Sequence, residues 1–417
     1  MSAQQDAKPA LASLVRAGDA QTEAEPITDF IFMAKDISNA YLINTADGDV
    51  LVNTGFMDNA ERNKGLFAPR RTGPLRKIIL TQAHADHFGG VPAFLETGTQ
   101  VVAEVRFKDT WTYFDEFGPF LTRRSGKLWA STMRRGANPP PPPRVSPDIE
   151  VDRFHAFEQG GRRFELLSTP GGESLCSLTV WMPNERIAFT GNLFGPVFLA
   201  VPFLTTIRGD KPRLVNNYLS SLDRVRDLGA ELLITGHGEP IRGADNIRKS
   251  LDKMHAAVSF VKKSVMDGMN AGKDVHTLMR EICLPDDIKI GEFHGNVRWA
   301  VRAIWEEHAG WFHYDSTTSL YGVPRKSVDA DLAELAGGAG ALAVRAGKRL
   351  EAGQPLEAIH LLDIALGAAP SNQAALAVKK EALESLLRMS GGANLSETMW
   401  LKSEISGVEA ALTTQQN

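Results

Sequence analysis

The sequence predicts a layered α/β (α+β) domain followed by an all-helical one, and three observations lead there. Between Phe30 and Arg242, short apolar runs alternate with turns and with short amphipathic stretches, the pattern of strands and helices packed in layers. After Ala244 the apolar spacing becomes helical. From Asp329 onward only Ala- and Leu-rich helical patterns remain. A chain of 417 residues is long for one hydrophobic core, so two domains are expected.

In chain order, residues 1–25 are polar and Ala-rich and are expected to be disordered. Residues 26–245 form the layered domain. Ala40 to Ile43, a turn at Asp47-Gly48 and Val50 to Val52 read as a hairpin. Further strands are expected at Ile78–Leu80, Val101–Ala103, Phe164–Leu167, Leu178–Trp181, Arg186–Phe189 and Leu232–Ile234. Helices are expected at Asp58–Leu66, Val91–Leu95 and Asn216–Leu228. The insert from Phe107 to Arg144 ends in five prolines, Pro139 to Pro143, and reads first as a stiff surface linker, with a lid as the alternative. Its aromatics Trp111, Tyr113, Phe114, Phe117 and Phe120 read by default as core, otherwise as the wall of an apolar pocket. Residues 246–328 read as a helical connector, with helices at Ile247–Met269 and Asn296–His308. Residues 329–417 form the helical domain, where Gly353-Gln354-Pro355 separates an antiparallel helix pair.

Composition excludes several classes. A net charge of −4 gives no electrostatic case for nucleic acid or an anionic membrane. Two distant cysteines, Cys176 and Cys283, exclude a disulfide framework and read as reduced thiols of a cytoplasmic protein. Neither a secretory leader nor a membrane-spanning segment is legible.

The chemistry concentrates in Thr81-Gln82-Ala83-His84-Ala85-Asp86-His87, a loop after the apolar run Ile78-Ile79-Leu80. Two imidazoles and a carboxylate at a strand's end can turn toward one point, and such donors suit zinc or a neighbouring metal. Three more runs follow predicted strands: Thr169-Pro170-Gly171-Gly172-Glu173, Phe189-Thr190-Gly191-Asn192-Leu193-Phe194 and Thr235-Gly236-His237-Gly238.

Together these four motifs resemble, in order, those of the metallo-β-lactamase superfamily, whose signature H-x-H-x-D-H has Gln82 here in place of its first His. Asn192 stands where the bridging Asp is usual, and Asn53 where an Asp often is, the latter with a structural role. The resemblance implies an αββα sandwich and two metal positions. Gln82, His84 and Glu173 fall at the first; Asp86, His87 and His237 fall at the second, with Asn192 between. Asp86 and Glu173 keep the usual ligand charge, but an amide oxygen is a weaker donor than imidazole. The second position is therefore expected to fill first, with one or two zinc ions in all.

Glu173 and the segments Gly291–Arg298 and Gly310–Asp315 resemble the alkylsulfatase branch in particular. That likeness implies a homodimer built on residues 329–417 and a hydrolase that uses metal-bound hydroxide on a small sulfate ester, or another ester with an apolar tail. Asp86, Asn192 and Arg208 are the candidate catalytic groups. Arg208, with Arg213 nearby, matches an Arg-Gly sulfate contact, a role suited to the planar guanidinium fork; solvated loop arginines are the plain alternative. A lactonase or carboxylic-ester hydrolase, or a non-catalytic scaffold with a degenerate site, are the competing readings. His294, His308 and His313 read as packed or surface histidines.

Overall fold

A computed structural model describes residues 10–133 and 141–413. These residues fall into two compact units, one running from Ala10 through His308 apart from a short stretch at 127–129, the other comprising Ala309 onward.

The larger unit contains two sheets. The first joins β1 (Glu25–Pro26), β2 (Ile31–Ala34), β3 (Ala40–Thr45), β4 (Gly48–Val52), β5 (Leu75–Ile79), β6 (Gln100–Glu104) and β7 (Ile149–Val151) in chain order. It is antiparallel from β1 to β4 and parallel from β4 to β7. The second contains β8 (Phe154–Gln159), β9 (Arg162–Ser168), β10 (Leu178–Met182), β11 (Ile187–Gly191), β12 (Leu232–Thr235) and β13 (Ile241–Arg242). In it β9, β11 and β12 run the same way, because β10 is antiparallel to β9 and β11 while β11 and β12 are parallel.

Strand alternation sorts the side chains into layers. Ile31, Met33, Tyr41, Ile43, Val50 and Val52 meet Phe164, Leu166, Val180, Met182, Phe189 and Ile234 in a core between the sheets. The intervening Phe32, Ala34, Leu42 and Leu51 face the other way, onto Leu66, Phe67, Phe88, Val91, Phe94 and Phe107. On the far side, Leu167, Trp181, Ala188 and Leu233 pack on Tyr218, Leu222, Leu251, Met254, Val301 and Ile304. The architecture is thus α-β-β-α. Both long helices, Ala244–Asn270 and Val297–Ala309, belong to that outer layer.

Four expectations need correction. Residues 10–25 are ordered: Ala10–Leu14 is helical, Leu11, Val15 and Ala24 are buried, and Gln21 bonds the backbone of Met33 and Lys35 through its amide. Residues 1–9 lie outside the described residues. The layered domain does not stop at 245, since the presumed connector supplies half of one core through His308. The insert is helical over Phe107–Glu116 and Gly118–Met133; of its proline run only Pro141–Pro143 is described, without regular structure. Finally, of the insert aromatics assigned to core, Phe117 and Phe120 are exposed. β2 and β8 escaped notice for different reasons: β2 is a run of only four residues with no polar alternation, and β8 carries Ala, Glu and Gln, which strands disfavour or leave neutral, so each is read as strand through its pairing.

The smaller unit holds helices Asp329–Leu335, Ala339–Glu351, Pro355–Ala368, Gln373–Met389 and Leu395–Thr413. Small residues fill its centre, with Ala343, Ala346, Ala358, Ala365, Ala375 and Ala382 buried around Leu362. No helix among the described residues is long and apolar enough to cross a membrane.

The inter-sheet core sets the stability of the larger unit. Phe164 is fully buried and stacks on Phe157 at 4.9 Å. Phe164→Ala is expected to cost about 3–5 kcal/mol in denaturant unfolding; a loss below about 1 kcal/mol would mean the sandwich core is not packed this way.

Candidate metal centre

The carboxyl ends of β4, β5, β9, β11 and β12 arrive at one edge of the sandwich, and the loops beyond them carry the polar side chains. The loop after β5 runs into a short helix, Ala85–Phe88, whose first turn presents Asp86 and His87. Cross-strand hydrogen bonds tie these loops together. Leu178 N donates to Thr81 O (2.8 Å), Glu173 N to Asn192 O (3.2 Å), Gly236 N to Gly191 O (2.8 Å) and Asn39 N to Gly236 O (2.7 Å). A side chain at Gly236 would not fit: its Cβ would lie 2.1 Å from Asn192 Oδ1 and 3.0 Å from His87 Cε1. Asn53 adopts the left-handed conformation (φ 59°) that Asn tolerates, and its Oδ1 accepts from Thr81 N at 2.9 Å, the structural role expected of it.

Asp86, His87 and His237 come together. Asp86 Oδ2 lies 3.7 Å from His87 Nε2 and 3.9 Å from His237 Nε2. Among the described residues they are the one group of three or more His, Cys, Asp or Glu side chains whose donor atoms all lie within 4.8 Å of one another. His87 is oriented from behind. Ser38 Oγ and Thr81 Oγ1, each 3.2 Å from its Nδ1, donate their own protons to Gly236 O and Asn53 Oδ1, leaving lone pairs for an Nδ1–H. Asn53 Nδ2, at 3.0 Å, is a competing donor. The Nδ1–H tautomer turns the free lone pair of Nε2, buried and without a partner, into the site. Burial pushes His87 down to about 3 and His237 down to about 4, so both imidazoles are neutral, as metal ligation requires. Two neutral imidazoles and a carboxylate are a donor set that fits a zinc-type ion.

The other predicted ligands form a different arrangement. Gln82 Nε2 sits 2.8 Å from His84 Nδ1, and His84 Nε2 sits 3.6 Å from Asp210 Oδ2. Glu173 Oε2 accepts from Asn192 Nδ2 at 2.8 Å and lies 3.8 Å from His84 Nδ1. The same Asn192 Nδ2 is 3.0 Å from His237 Nε2, so Asn192 lies between Glu173 and His237. Arg213 is buried, donating to Phe203 O at 2.8 Å and to Asp210 Oδ2 at 3.1 Å, so it is no solvated loop arginine. Arg208, partly exposed, pairs with the same Oδ2 at 3.5 Å. Burial would raise the Glu173 carboxyl, but the His294 hydrogen bond and the charge of Arg213 hold it well below the carboxylate range. Asp210 is held low too: burial is outweighed by its bond to His84 and by Arg213.

Sequence reasoning missed two participants. Asp210 sits one residue beyond Arg208-Gly209, the signal that was available. His294, read as a packed histidine, is indeed buried, edge-on to Phe203 at 4.7 Å, yet its Nε2 also lies 3.4 Å from Glu173 Oε1. Backbone bonds bring it there: Val201 N donates to Gly291 O and Gly291 N to Leu199 O. His308 bonds Ile304 O within its own helix. The insert contributes as well, because Phe114 packs on the His84 ring at 5.3 Å and Arg124 donates to Ile207 O at 2.7 Å.

Replacing His87 or His237 by Ala is expected to abolish stoichiometric metal binding, measured by plasma mass spectrometry on the dialysed protein. Ser38→Ala combined with Thr81→Val should weaken affinity about 10–100-fold in a chelator competition, as loss of the groups that orient a ligand does. Unchanged affinity would show that His87 is not held as described.

Comparison with known proteins places this geometry. The sequence model described as Metallo-beta-lactamase superfamily matches residues 34–237, and that described as Alkyl sulfatase dimerisation matches residues 278–401. A linear primary-alkylsulfatase from a Pseudomonas species is 26% identical over 300 residues, covering 66% of this chain and 56% of the relative. An alkyl/aryl-sulfatase from Saccharomyces cerevisiae is 23% identical over 392 residues, covering 86% and 60%. The chain thus spans little more than half the length of these curated relatives. The solved structure of a stereoselective inverting sec-alkylsulfatase from a Pseudomonas species shares the fold, with a TM-score of 0.83 at 19% identity over 98% of this chain and 69% of that one. With both family regions present in order and the metal-site loops where the fold puts them, the chain belongs to the metallo-β-lactamase superfamily, in the branch that carries an alkyl sulfatase dimerisation region.

Proposed function

We propose that the chain is a metal-dependent hydrolase acting on a small sulfate ester, or another ester with an apolar tail. The observation that carries this reading is the convergence of Asp86, His87 and His237, linked through Asn192, Glu173 and His84 to Asp210 and its two guanidiniums. Asp86, His87 and His237 would hold the ion, zinc by the donor set, which when bound would acidify water and polarise the bond to be cleaved. The protein's own groups do the rest. Asp86 supplies the ligand charge, and Asn192 links Glu173 to His237 so that the two halves of the site keep their spacing. Arg208 is the candidate sulfate contact, since it keeps part of its surface free while Arg213 is committed to Asp210 and Phe203 O. Phe114 over His84, with the exposed Phe117 and Phe120, offers apolar surface for the tail.

A second copy of the chain is the proposed partner. Leu335 (85% exposed), Met389 (69%), Val344 (64%) and Leu356 (57%) leave large apolar side chains on the surface of the helical unit, within the region matched by the dimerisation model. A two-fold dimer is the commonest closed assembly for such a face.

An activity panel with metal-loaded protein tests the chemistry. Arg208→Ala should lower kcat/KM for a sulfate ester about 10–150-fold, the effect of losing about 1.5–3 kcal/mol from a charged hydrogen bond. Neutral esters should respond far less. Equal losses on both, or turnover of neutral esters alone, would instead support a lactonase or carboxylic-ester hydrolase, and metal binding without turnover a scaffold. Sedimentation at micromolar concentration should show a dimer, which Leu335→Asp with Leu356→Asp converts to monomer; a wild-type monomer would overturn the assembly.

A further inference from the structure

The two metal positions implied by the family pattern are not equivalent in this chain. At the second, Asp86 is a carboxylate facing two neutral imidazoles, and among the described residues no guanidinium or ammonium pairs with it. A dication supplies the missing charge there. At the first, the accounts are already closed. Glu173 and Asp210 are two buried carboxylates, and Arg213 and Arg208 are two guanidiniums beside them, 3.1 and 3.5 Å from Asp210 Oδ2. Arg213 is 3% exposed and acts on Glu173 as well as on Asp210. Buried charges persist only when compensated, and here the compensation is organic.

The donor chemistry agrees. Gln82 and Asn192 are amides where the family pattern has imidazole and carboxylate, so both changes remove donor strength and one removes a charge. Each amide is engaged through its nitrogen, Gln82 with His84 and Asn192 with Glu173 and His237, while Gln82 Oε1 and Asn192 Oδ1 are buried without partners. Those oxygens are neutral acceptors and bring nothing to offset two further positive charges next to Arg213. Of the three potential ligands at this position only Glu173 is anionic, and His294 and Asn192 already hold it.

We infer that the chain holds a single divalent ion, on Asp86, His87 and His237, and that a charge-balanced network of Gln82, His84, Glu173, Asn192, Asp210, Arg208 and Arg213 takes the place of a second. The inference rests on the metal-dependent reading for the presence of the first ion and on the network for the exclusion of the other.

Metal stoichiometry tests it without reference to turnover. Protein loaded with excess Zn2+ and dialysed should retain one ion per chain by plasma mass spectrometry, and titration with Co2+ should give one saturating visible spectrum. Two ions per chain would overturn the inference and leave the hydrolase reading standing; none would overturn both. His87→Ala should retain no ion, and one ion still bound would place the metal at the other position and overturn the assignment. Gln82→His combined with Asn192→Asp restores an imidazole and a carboxylate and should raise the count to two, with a second Co2+ spectrum added to an unchanged first. A count still at one in a variant that keeps the wild-type first spectrum would show that the amides do not set the number.

Discussion

The site depends on one backbone position being bare. Gly236 follows β12, accepts hydrogen bonds from Asn39 N and Ser38 Oγ, and donates to Gly191 O. It therefore joins the first sheet's β2–β3 loop to the ends of β11 and β12. Asn192 Oδ1 and His87 Cε1 occupy the space that a side chain would need. The close approach lets His87 from one sheet and His237 from the other face the same carboxylate, and it keeps Asn192 between the two halves. Any larger residue would separate the loops before any ligand was lost.

Around that position the protein solves a problem of buried charge. The inter-sheet core excludes water from the roots of the loops, so each ionised group at the edge needs a partner. Arg213 answers for Asp210 and helps hold Glu173 ionised, and His294 is drawn in from a segment more than a hundred residues downstream of Glu173 in sequence. Among the described residues, Asp86 is left as the carboxylate with no cationic side chain, beside two imidazoles whose burial keeps them neutral. Electrostatics distinguishes the two positions more sharply than ligand identity does.

The insert bears on what the site meets. Helix Phe107–Glu116 lays Phe114 on His84, and Arg124 of the following helix bonds the loop that carries Arg208. The prolines that suggested a linker come only after these helices. In the smaller unit, alanines at the helix contacts permit close packing, which leaves bulkier residues such as Leu335 and Leu356 outside the core.

The sequence by itself determined the layered fold, because strand alternation and the order of apolar runs leave few other ways to bury Val50, Val52, Phe164 and Leu166 together. It also determined the loop positions of His84, Asp86, His87, Glu173, Asn192 and His237, since each follows a strand whose end the motif marks. The long helices after Ala244 were legible as helices but not as part of the layered unit: a helix's apolar face shows that it packs, not what it packs against. Only the tertiary structure decided which donors converge. The difference between Asp86, which faces imidazoles alone, and Glu173, enclosed by His294, Asn192 and the field of Arg213, arises from loops far apart in sequence. Local pattern specifies where a side chain leaves the backbone; the burial and charge it finds there belong to the assembled fold.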